Sequence, residues 1–227
     1  AALRNDLALR TTVARHRTHY LTHPQALIHG DLHTGSVMVT EHDTRVIDGE
    51  FAMLGPIGFD LGAFIANLVM AWFAKPGHAE PAHSAAAYRQ SILDQVVVFW
   101  QRFDAQFCAH WAGQTGANDA YPASHYAGAA GQARLAGIRH AHVARIYDDT
   151  LAYAGTEIIR RIVGFAHLAD FLAIEDLQRR AHAQAGALAL ARDLLMQPER
   201  FADIAGLVDA VPRYEGVGFD PARPRRT

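Results

Sequence analysis

Hydrophobic and polar positions along the chain predict a small β-structure followed by a long helical region. Residues 3–22 place apolar side chains at helical spacing, and His23-Pro24 ends this helix because a residue before proline avoids the helical backbone region. Residues 37–40 and 45–47 are β-branched runs on either side of a short polar segment, which predicts a β-hairpin. The glycines and proline of residues 55–58 predict a second turn.

From residue 61 onwards the pattern is helical. Residues 61–74 are mainly apolar and predict a buried core helix, because fourteen residues are too few to span a bilayer. An apolar stripe with spacings of three and four runs from Tyr88 to Trp111 and predicts an amphipathic helix. The remaining segments are predicted as a long loop at 113–132, helices at about 134–153, 156–172 and 175–196, and loop and tail from 197 onwards. The predicted fold class is therefore mainly α with a small β-hairpin.

Composition and charge narrow the classes of function. The chain has 227 residues, half of them hydrophobic, which is enough for one sizeable core. Its formal net charge of −2, from 21 basic and 23 acidic residues, argues against a nucleic-acid partner or a membrane surface. A single cysteine, Cys108, excludes an internal disulfide, and the first 17 residues lack the apolar segment of a signal peptide. We therefore expect a cytoplasmic protein.

The candidate chemistry lies in three carboxylates around the predicted hairpin. Asp31 lies in a polar loop before the first strand, and Asp48 and Glu50 follow the second strand. A hairpin folds back on itself, so we expect the three carboxylates to converge, which requires a shared proton or a cation. Oxygen ligands suit Mg²⁺, and phosphoryl transfer uses one carboxylate beside the attacking hydroxyl and others on the metal. Any one of these residues alone is more commonly a solvated turn former.

Several motifs resemble those of a known enzyme family. His29-Gly30-Asp31 before a strand, and Ile47-Asp48 after one, resemble the catalytic loop and metal-binding motif of kinases. The wider group of aminoglycoside phosphotransferase-like kinases has asparagine where this chain has Ser36, and kinases commonly have D-F-G where it has Asp48-Gly49-Glu50. These two departures, with HGDLHTGS at 29–36, GPIGFDLG at 55–62 and GTEIIRRIVGFAHLAD at 155–170, resemble the methylthioribose kinase family, which acts in methionine salvage.

The resemblance implies a fold, a reaction and cofactors. The fold is the C-terminal lobe of the protein-kinase-like fold. The reaction is ATP-dependent phosphorylation of the 1-hydroxyl of 5-methylthioribose, with ATP and Mg²⁺ as cofactors. The expected partner is a small-molecule sugar, with no nucleic acid and no membrane.

The resemblance also implies residue roles. Asp31 is expected to be the catalytic base and Asp48 a Mg²⁺ ligand. Glu50 is either a second metal ligand or holds a metal-bound water, and Ser36 is a weaker candidate ligand. His29 is expected to support the loop. Asp60 is expected to brace the loop through backbone hydrogen bonds, to cap the helix near residue 61, or to do both.

Two further sets of polar residues have competing interpretations. Arg160-Arg161 is either a solvated pair, bonded to Glu157 or Asp170, or part of the sugar or phosphate site, as the family resemblance favours. His33 lies four residues after His29, but this spacing suits zinc on a helix, and the segment is predicted as a loop.

The segment before the catalytic loop lacks the residues that clamp ATP. The first 28 residues contain neither glycine nor lysine, and the only lysine, Lys75, lies downstream. We therefore expect residues 1–227 to form a C-terminal lobe without the N-terminal ATP-clamping lobe, as a fragment or a truncated product with little activity alone. Its expected parts are catalytic loop 29–36, metal motif 48–50, helical subdomain 61–196 and tail 197–227. The surface left exposed favours a homodimer.

Three alternatives remain open from the sequence. One is another small-molecule kinase of this fold, acting on an aminoglycoside, choline or homoserine, although Ser36 and Glu50 argue against it. A second is a non-catalytic remnant that binds a sugar or a partner protein. A metal-dependent hydrolase that uses the same carboxylates is more distant.

Overall fold

The N-terminal part of the chain is helical, as its spacing predicts. The structure, a computed structural model, describes residues 2–78, 82–113 and 120–218. Helix α1 (Ala2–Asn5) and helix α2 (Leu7–Thr22) replace the single helix predicted at 3–22. Asp6 separates them because its side chain caps α2 by accepting a hydrogen bond from the Leu9 amide at 3.0 Å. Helix α2 ends at Thr22, immediately before His23-Pro24.

Two small antiparallel sheets follow. Strands β2 (Val37–Val39) and β3 (Thr44–Val46) form the predicted hairpin, which is confirmed. Strand β1 (Ala26–Ile28) pairs with strand β4 (Met53–Gly55), a pairing that the sequence did not predict. The turn predicted at 55–58 is wrong, because Gly55 closes β4 and helix α3 (Ile57–Ala74) begins two residues later. Pro56 occupies the N-cap, where its missing N–H costs nothing.

Helix α3 is the centre of the core. Ile65, Met70 and Trp72 are buried on it, and full burial of such side chains contributes about 1.5–3 kcal/mol each. Gly62 lets helix α5 (Gly128–Val163) approach closely, because a Cβ there would lie 2.6 Å from the Thr150 carbonyl oxygen. The segment Ile57–Gly77 is long and apolar enough to cross a membrane, but 78% of its most apolar window is buried inside the protein. The predicted core helix is confirmed.

The remaining long helices surround α3. Helix α4 (Ala82–Gly113) contains the predicted aromatic stripe. Helix α5 is continuous through the gap predicted between 153 and 156. Gly155 lets it approach helix α7 (Leu177–Met196) closely, because a Cβ there would lie 2.8 Å from the Ala191 carbonyl oxygen. It ends at Val163, so the helix predicted to continue to 172 is shorter, and only α6 (Ala169–Leu172) follows before α7. Of the predicted 113–132 loop, residues 114–119 lie outside the described residues. Ala123–Tyr126 forms a 3-10 turn, and α5 already begins at Gly128.

The segment after α7 belongs to the core. The loop and tail predicted from the sequence for residues 197–227 is wrong for 197–218. Helix α8 (Ile204–Ala210) and the 3-10 turns Pro198–Arg200 and Val211–Tyr214 form there. They bury five apolar or aromatic side chains against the helices: Phe201, Ile204, Leu207, Val211 and Tyr214. Residues 219–227 lie outside the described part of the chain.

Candidate active site

The catalytic loop (29–36) is fastened to the core helix by Asp60. This residue lies in the first turn of α3, and its carboxylate accepts hydrogen bonds from the backbone amides of His29 and, at 3.0 Å, Gly30. The alternative that Asp60 caps a helix starting near residue 61 is wrong, because α3 begins at Ile57 with Pro56 as its N-cap. Asp60 therefore transmits the rigidity of the buried helix to the loop.

The His29 imidazole ties the loop to the strand that leads to Asp48. Its Nε2 lies 2.7 Å from the Ile47 carbonyl oxygen, and its Nδ1 accepts a hydrogen bond from the Asp31 amide at 3.3 Å. These partners require the neutral tautomer with the proton on Nε2. His29 thus links the backbone of Asp31 to that of Ile47, the residue before Asp48.

Ser36 lies at the end of the catalytic loop and bonds the same two residues, Asp31 and Ile47. The residue is 1% exposed, and its hydroxyl donates to the Asp31 carbonyl oxygen at 3.1 Å. Its own carbonyl accepts a hydrogen bond from the Ile47 amide at 2.9 Å, which extends the hairpin by one residue pair. In this position Ser36 closes the loop between Asp31 and the hairpin, a role that the sequence analysis did not foresee.

The metal motif (48–50) is pressed against the catalytic loop. Gly30 has a φ of +85°, and a Cβ there would lie 2.3 Å from the Phe51 carbonyl oxygen, so only glycine fits between loop and motif. Asp48 has a φ of 65° and is the only non-glycine residue with positive φ in the described ranges. Aspartate is one of the few non-glycine residues that adopt this left-handed backbone.

The Asp31 carboxylate is about one-third exposed and lies beside two guanidinium groups and one imidazole. Its Oδ1 lies 3.3 Å from Nη2 of Arg161 and 3.6 Å from Nη2 of Arg160. Its Oδ2 lies 3.6 Å from Nε2 of His33, whose Nδ1 accepts from the Gly35 amide. The structure therefore brings the proposed base, in the loop after β1, next to the arginine pair in the last turn of α5.

A buried carboxylate, Glu157, lies behind the two arginines. Arg160 donates to it from Nε at 2.7 Å and from Nη2 at 3.0 Å, and Arg161 donates from Nε at 2.7 Å. Burial by itself raises the pKa of Glu157, but the hydrogen bonds and positive charges of the two arginines outweigh it, and the pKa is lowered. The sequence analysis treated Glu157 only as a partner of a solvated pair. The i, i+3, i+4 spacing was the available signal.

Asp31, Glu157 and Arg160 line one cleft of about 420 Å³. Its polar side contains Asp31, Thr156, Glu157 and Arg160, and its apolar side contains Tyr20, Phe51, Phe59, Ala63 and Tyr153. Phe59 packs between Tyr20 and Tyr153, with ring centroids 4.8 and 5.4 Å away. This aromatic wall was not predicted, because it combines single residues from three helices that show no common pattern in the sequence.

Asp48 and Glu50 are exposed beside this loop. No group of three or more His, Cys, Asp or Glu side chains that could hold a metal ion occurs among residues 2–78, 82–113 and 120–218. The expected convergence of Asp31, Asp48 and Glu50 is therefore wrong, because the Asp31 carboxylate pairs with the two arginines while Asp48 and Glu50 are exposed. Two exposed carboxylates do fit Mg²⁺, which is commonly bound by one or two carboxylates and completed by phosphate oxygens and water. The donor set present is therefore suited to a metal that arrives with a phosphate substrate.

Comparisons with known proteins agree with this chemistry. Residues 1–96 match the phosphotransferase enzyme family. The chain is 37% identical over 216 residues to methylthioribose kinase 1 of Oryza sativa subsp. japonica, covering 95% of this chain and 50% of the relative. It is 36% identical over 205 residues to methylthioribose kinase of Escherichia coli O45:K1 (strain S88 / ExPEC), covering 90% and 48%. It is 38% identical over 222 residues to methylthioribose kinase of Yersinia pestis (strain Pestoides F), covering 98% and 51%.

The family resemblance predicted from the motifs is confirmed by these matches. The chain is a relative of the methylthioribose kinases over nearly all of its own length, and it spans about half the length of the curated relatives it matches. Its mainly helical architecture with a small hairpin agrees with the C-terminal lobe of a protein-kinase-like fold.

Proposed function

We propose that this chain, a relative of the methylthioribose kinases, is the sugar-binding and catalytic half of an ATP-dependent sugar kinase. The proposed reaction transfers the γ-phosphoryl group of ATP to the 1-hydroxyl of 5-methylthioribose, a step of methionine salvage. The observation that supports it best is the cleft in which the Asp31 carboxylate and Arg160 face an aromatic wall. Such a cleft suits a small substrate with hydroxyls on one side and an apolar group on the other.

Asp31 is the proposed catalytic base. It accepts the proton of the attacking sugar hydroxyl while the new oxygen–phosphorus bond forms and the bond to the ADP leaving group breaks. Both arginines face Oδ1 of Asp31, whereas Oδ2 has only the His33 imidazole at 3.6 Å, so Oδ2 is the oxygen proposed to receive the proton. His29, Ser36 and Asp60 keep the loop in place during this step.

Asp48 and Glu50 are the proposed ligands of Mg²⁺. When bound, the metal neutralises charge on the transferring phosphates. Asp48 has a left-handed backbone at the end of the hairpin, and His29 bonds the carbonyl of the preceding residue. Ser36 is the weaker candidate, because its hydroxyl is buried and bonded to the Asp31 carbonyl.

The cleft also supports a choice of substrate. Arginine forks suit sugar hydroxyls and phosphate oxygens, so Arg160 and Arg161 are the proposed contacts to the polar part of the sugar. Tyr20, Phe59 and Tyr153 form a surface for the methylthio group, since sulfur packs favourably against aromatic rings. A ribose without that group would leave the aromatic wall exposed to water.

ATP requires a second structural unit in this proposal. Leu27 and Leu54 on the first sheet, and Met38, Val39 and Val46 on the hairpin, are exposed apolar side chains. We propose that they contact a nucleotide-binding half equivalent to the part of the relatives that this chain does not cover. The homodimer predicted from the sequence remains a separate prediction, and the cytoplasm remains the proposed location.

The test is a comparison of acceptors with the natural-length polypeptide that contains this chain. We expect ATP-dependent phosphorylation of 5-methylthioribose with a kcat/KM at least about tenfold above that for ribose, because one lost apolar group changes specificity by roughly 10- to 200-fold. Phosphorylation of choline or an aminoglycoside instead would support the alternative kinase. Sugar binding without transfer would support the non-catalytic interpretation.

A further inference from the structure

We propose that Glu157 is a positioning residue of the active site, which sets the orientation of Arg160 and Arg161 toward Asp31. This inference rests on the proposed function, because it assigns a role within the same site. Glu157 was not among the expected site residues, and its carboxylate is 8% exposed at one side of the cleft.

Both carboxylate oxygens of Glu157 are used by the arginines. Arg160 donates through Nε and Nη2 to the two oxygens, and Arg161 donates through Nε to one of them. The Nη2 of Arg161 is then directed at Oδ1 of Asp31 at 3.3 Å. Each guanidinium is a rigid planar fork, so fixing the Nε edge against Glu157 also fixes where the other donors point.

The Glu157 carboxylate balances the positive charges of Arg160 and Arg161. Two adjacent guanidinium groups repel each other, and Asp31 alone supplies one negative charge for two positive ones. Glu157 restores balance, because Asp31 and Glu157 together match Arg160 and Arg161. Without it, both arginines would compete for Asp31 or turn to solvent.

A purely structural role does not account for the geometry. Glu157 and its two partners lie on one helix at i, i+3 and i+4, so these bonds do not connect α5 to another element of the core. Among the hydrogen bonds and ion pairs of the described residues, these three side chains reach one other element, the catalytic loop, through Asp31. The network therefore ends at the proposed base and not in the helical packing.

The test uses the natural-length polypeptide with E157Q, R161Q and the double variant, and with E175Q as a matched control on an exposed glutamate. We expect E157Q to lower kcat by about 10- to 100-fold, more than it raises KM, because a small misplacement near the chemistry can cost about 100-fold. E175Q should keep the wild-type kcat. The loss in the double variant should be smaller than the product of the two single losses, since both act through one network.

A second measurement does not depend on turnover. The Nε–H groups of Arg160 and Arg161 both donate to Glu157, so their ¹⁵N NMR signals should move or exchange faster with water in E157Q and stay unchanged in E175Q. Unchanged Nε signals in E157Q would overturn the inference, and so would wild-type kcat. If the wild type fails to phosphorylate 5-methylthioribose, the proposed function fails, and the Nε signals alone then decide whether Glu157 positions the arginines.

Discussion

Nη2 of Arg161 lies 3.3 Å from Oδ1 of Asp31, although the two residues are 130 positions apart in the chain. The contact joins the catalytic loop to the last turn of α5. It means that the orientation of the proposed base depends on a helix that forms the core of the domain. Two regions that each contain a family motif therefore meet at one carboxylate.

This contact predicts a strong effect of R161K. Lysine keeps the positive charge but cannot donate to Glu157 and Asp31 at the same time from one planar group. We expect kcat for 5-methylthioribose to fall by about 10- to 100-fold with little change in melting temperature. R179K on α7, where the arginine is exposed, is the matched control. Equal activity of R161K and R179K would contradict the assignment.

A second prediction concerns Gly30. Alanine there would adopt an unfavourable positive φ, and its Cβ would meet the Phe51 carbonyl oxygen at 2.3 Å. We expect G30A to reduce the free energy of unfolding by about 1–3 kcal/mol or to displace the metal motif with loss of transfer. G137A is the control, because Gly137 lies on exposed α5 surface with no atom near its Cβ position, and alanine favours a helix. Urea unfolding and a transfer assay of the two variants measure the contrast, and equal stability together with equal transfer rates would refute it.

The third prediction is a pH dependence of stability. The pKa of Glu157 is lowered from its ordinary value of 4.5, so the native state favours the ionised carboxylate. Its contribution is fully present above pH 4.5 and is lost as pH falls through the lowered native-state pKa. We expect the stability difference between wild type and E157Q to shrink when urea unfolding is repeated from pH 6 down to about pH 3. A difference that stays constant or grows on acidification would contradict the lowered pKa.

A fourth prediction tests the aromatic wall. F59L removes the ring that packs between Tyr20 and Tyr153. We expect KM for 5-methylthioribose to rise by about tenfold while the rate with ribose changes little, because only the methylthio group uses this wall. F165L, at a fully exposed phenylalanine, is the control. An equal change in KM for 5-methylthioribose and for ribose would contradict the proposal that the aromatic wall binds the methylthio group.

Local patterns predicted much of this architecture. The hairpin, the core helix and the loop around Asp31 follow from β-branched runs, an apolar stretch and a compact motif. The pairing of β1 with β4 was missed, because three-residue strands separated by a long segment show no alternation to recognise. The packing of residues 197–218 was missed because Pro198 and Pro212 favour loops, although apolar residues recur there at helical spacing from Phe201 to Val211.

In the site too, local motifs could be predicted from the sequence and contacts between distant residues could not. Asp31, Asp48 and Glu50 belong to short motifs and could be singled out from the sequence. Their convergence, expected from the hairpin, was wrong, since no group of three such side chains that could hold a metal ion lies in the described ranges. The role of Glu157 and the aromatic wall required tertiary structure, since Tyr20, Phe59 and Tyr153 come from three different helices. The family resemblance favoured a substrate role for the arginine pair. The hydrogen bonds to Glu157 show that the competing interpretation was also partly correct.

The central claim is that Asp31 is the base of a sugar kinase, and D31N tests it most directly. Asparagine has nearly the same shape but cannot accept the hydroxyl proton, so kcat with ATP and 5-methylthioribose should fall by about 100- to 10,000-fold at an unchanged melting temperature. D209N, on the exposed surface of α8, should keep the wild-type rate. A stable D31N variant that turns over like the wild type would contradict the account.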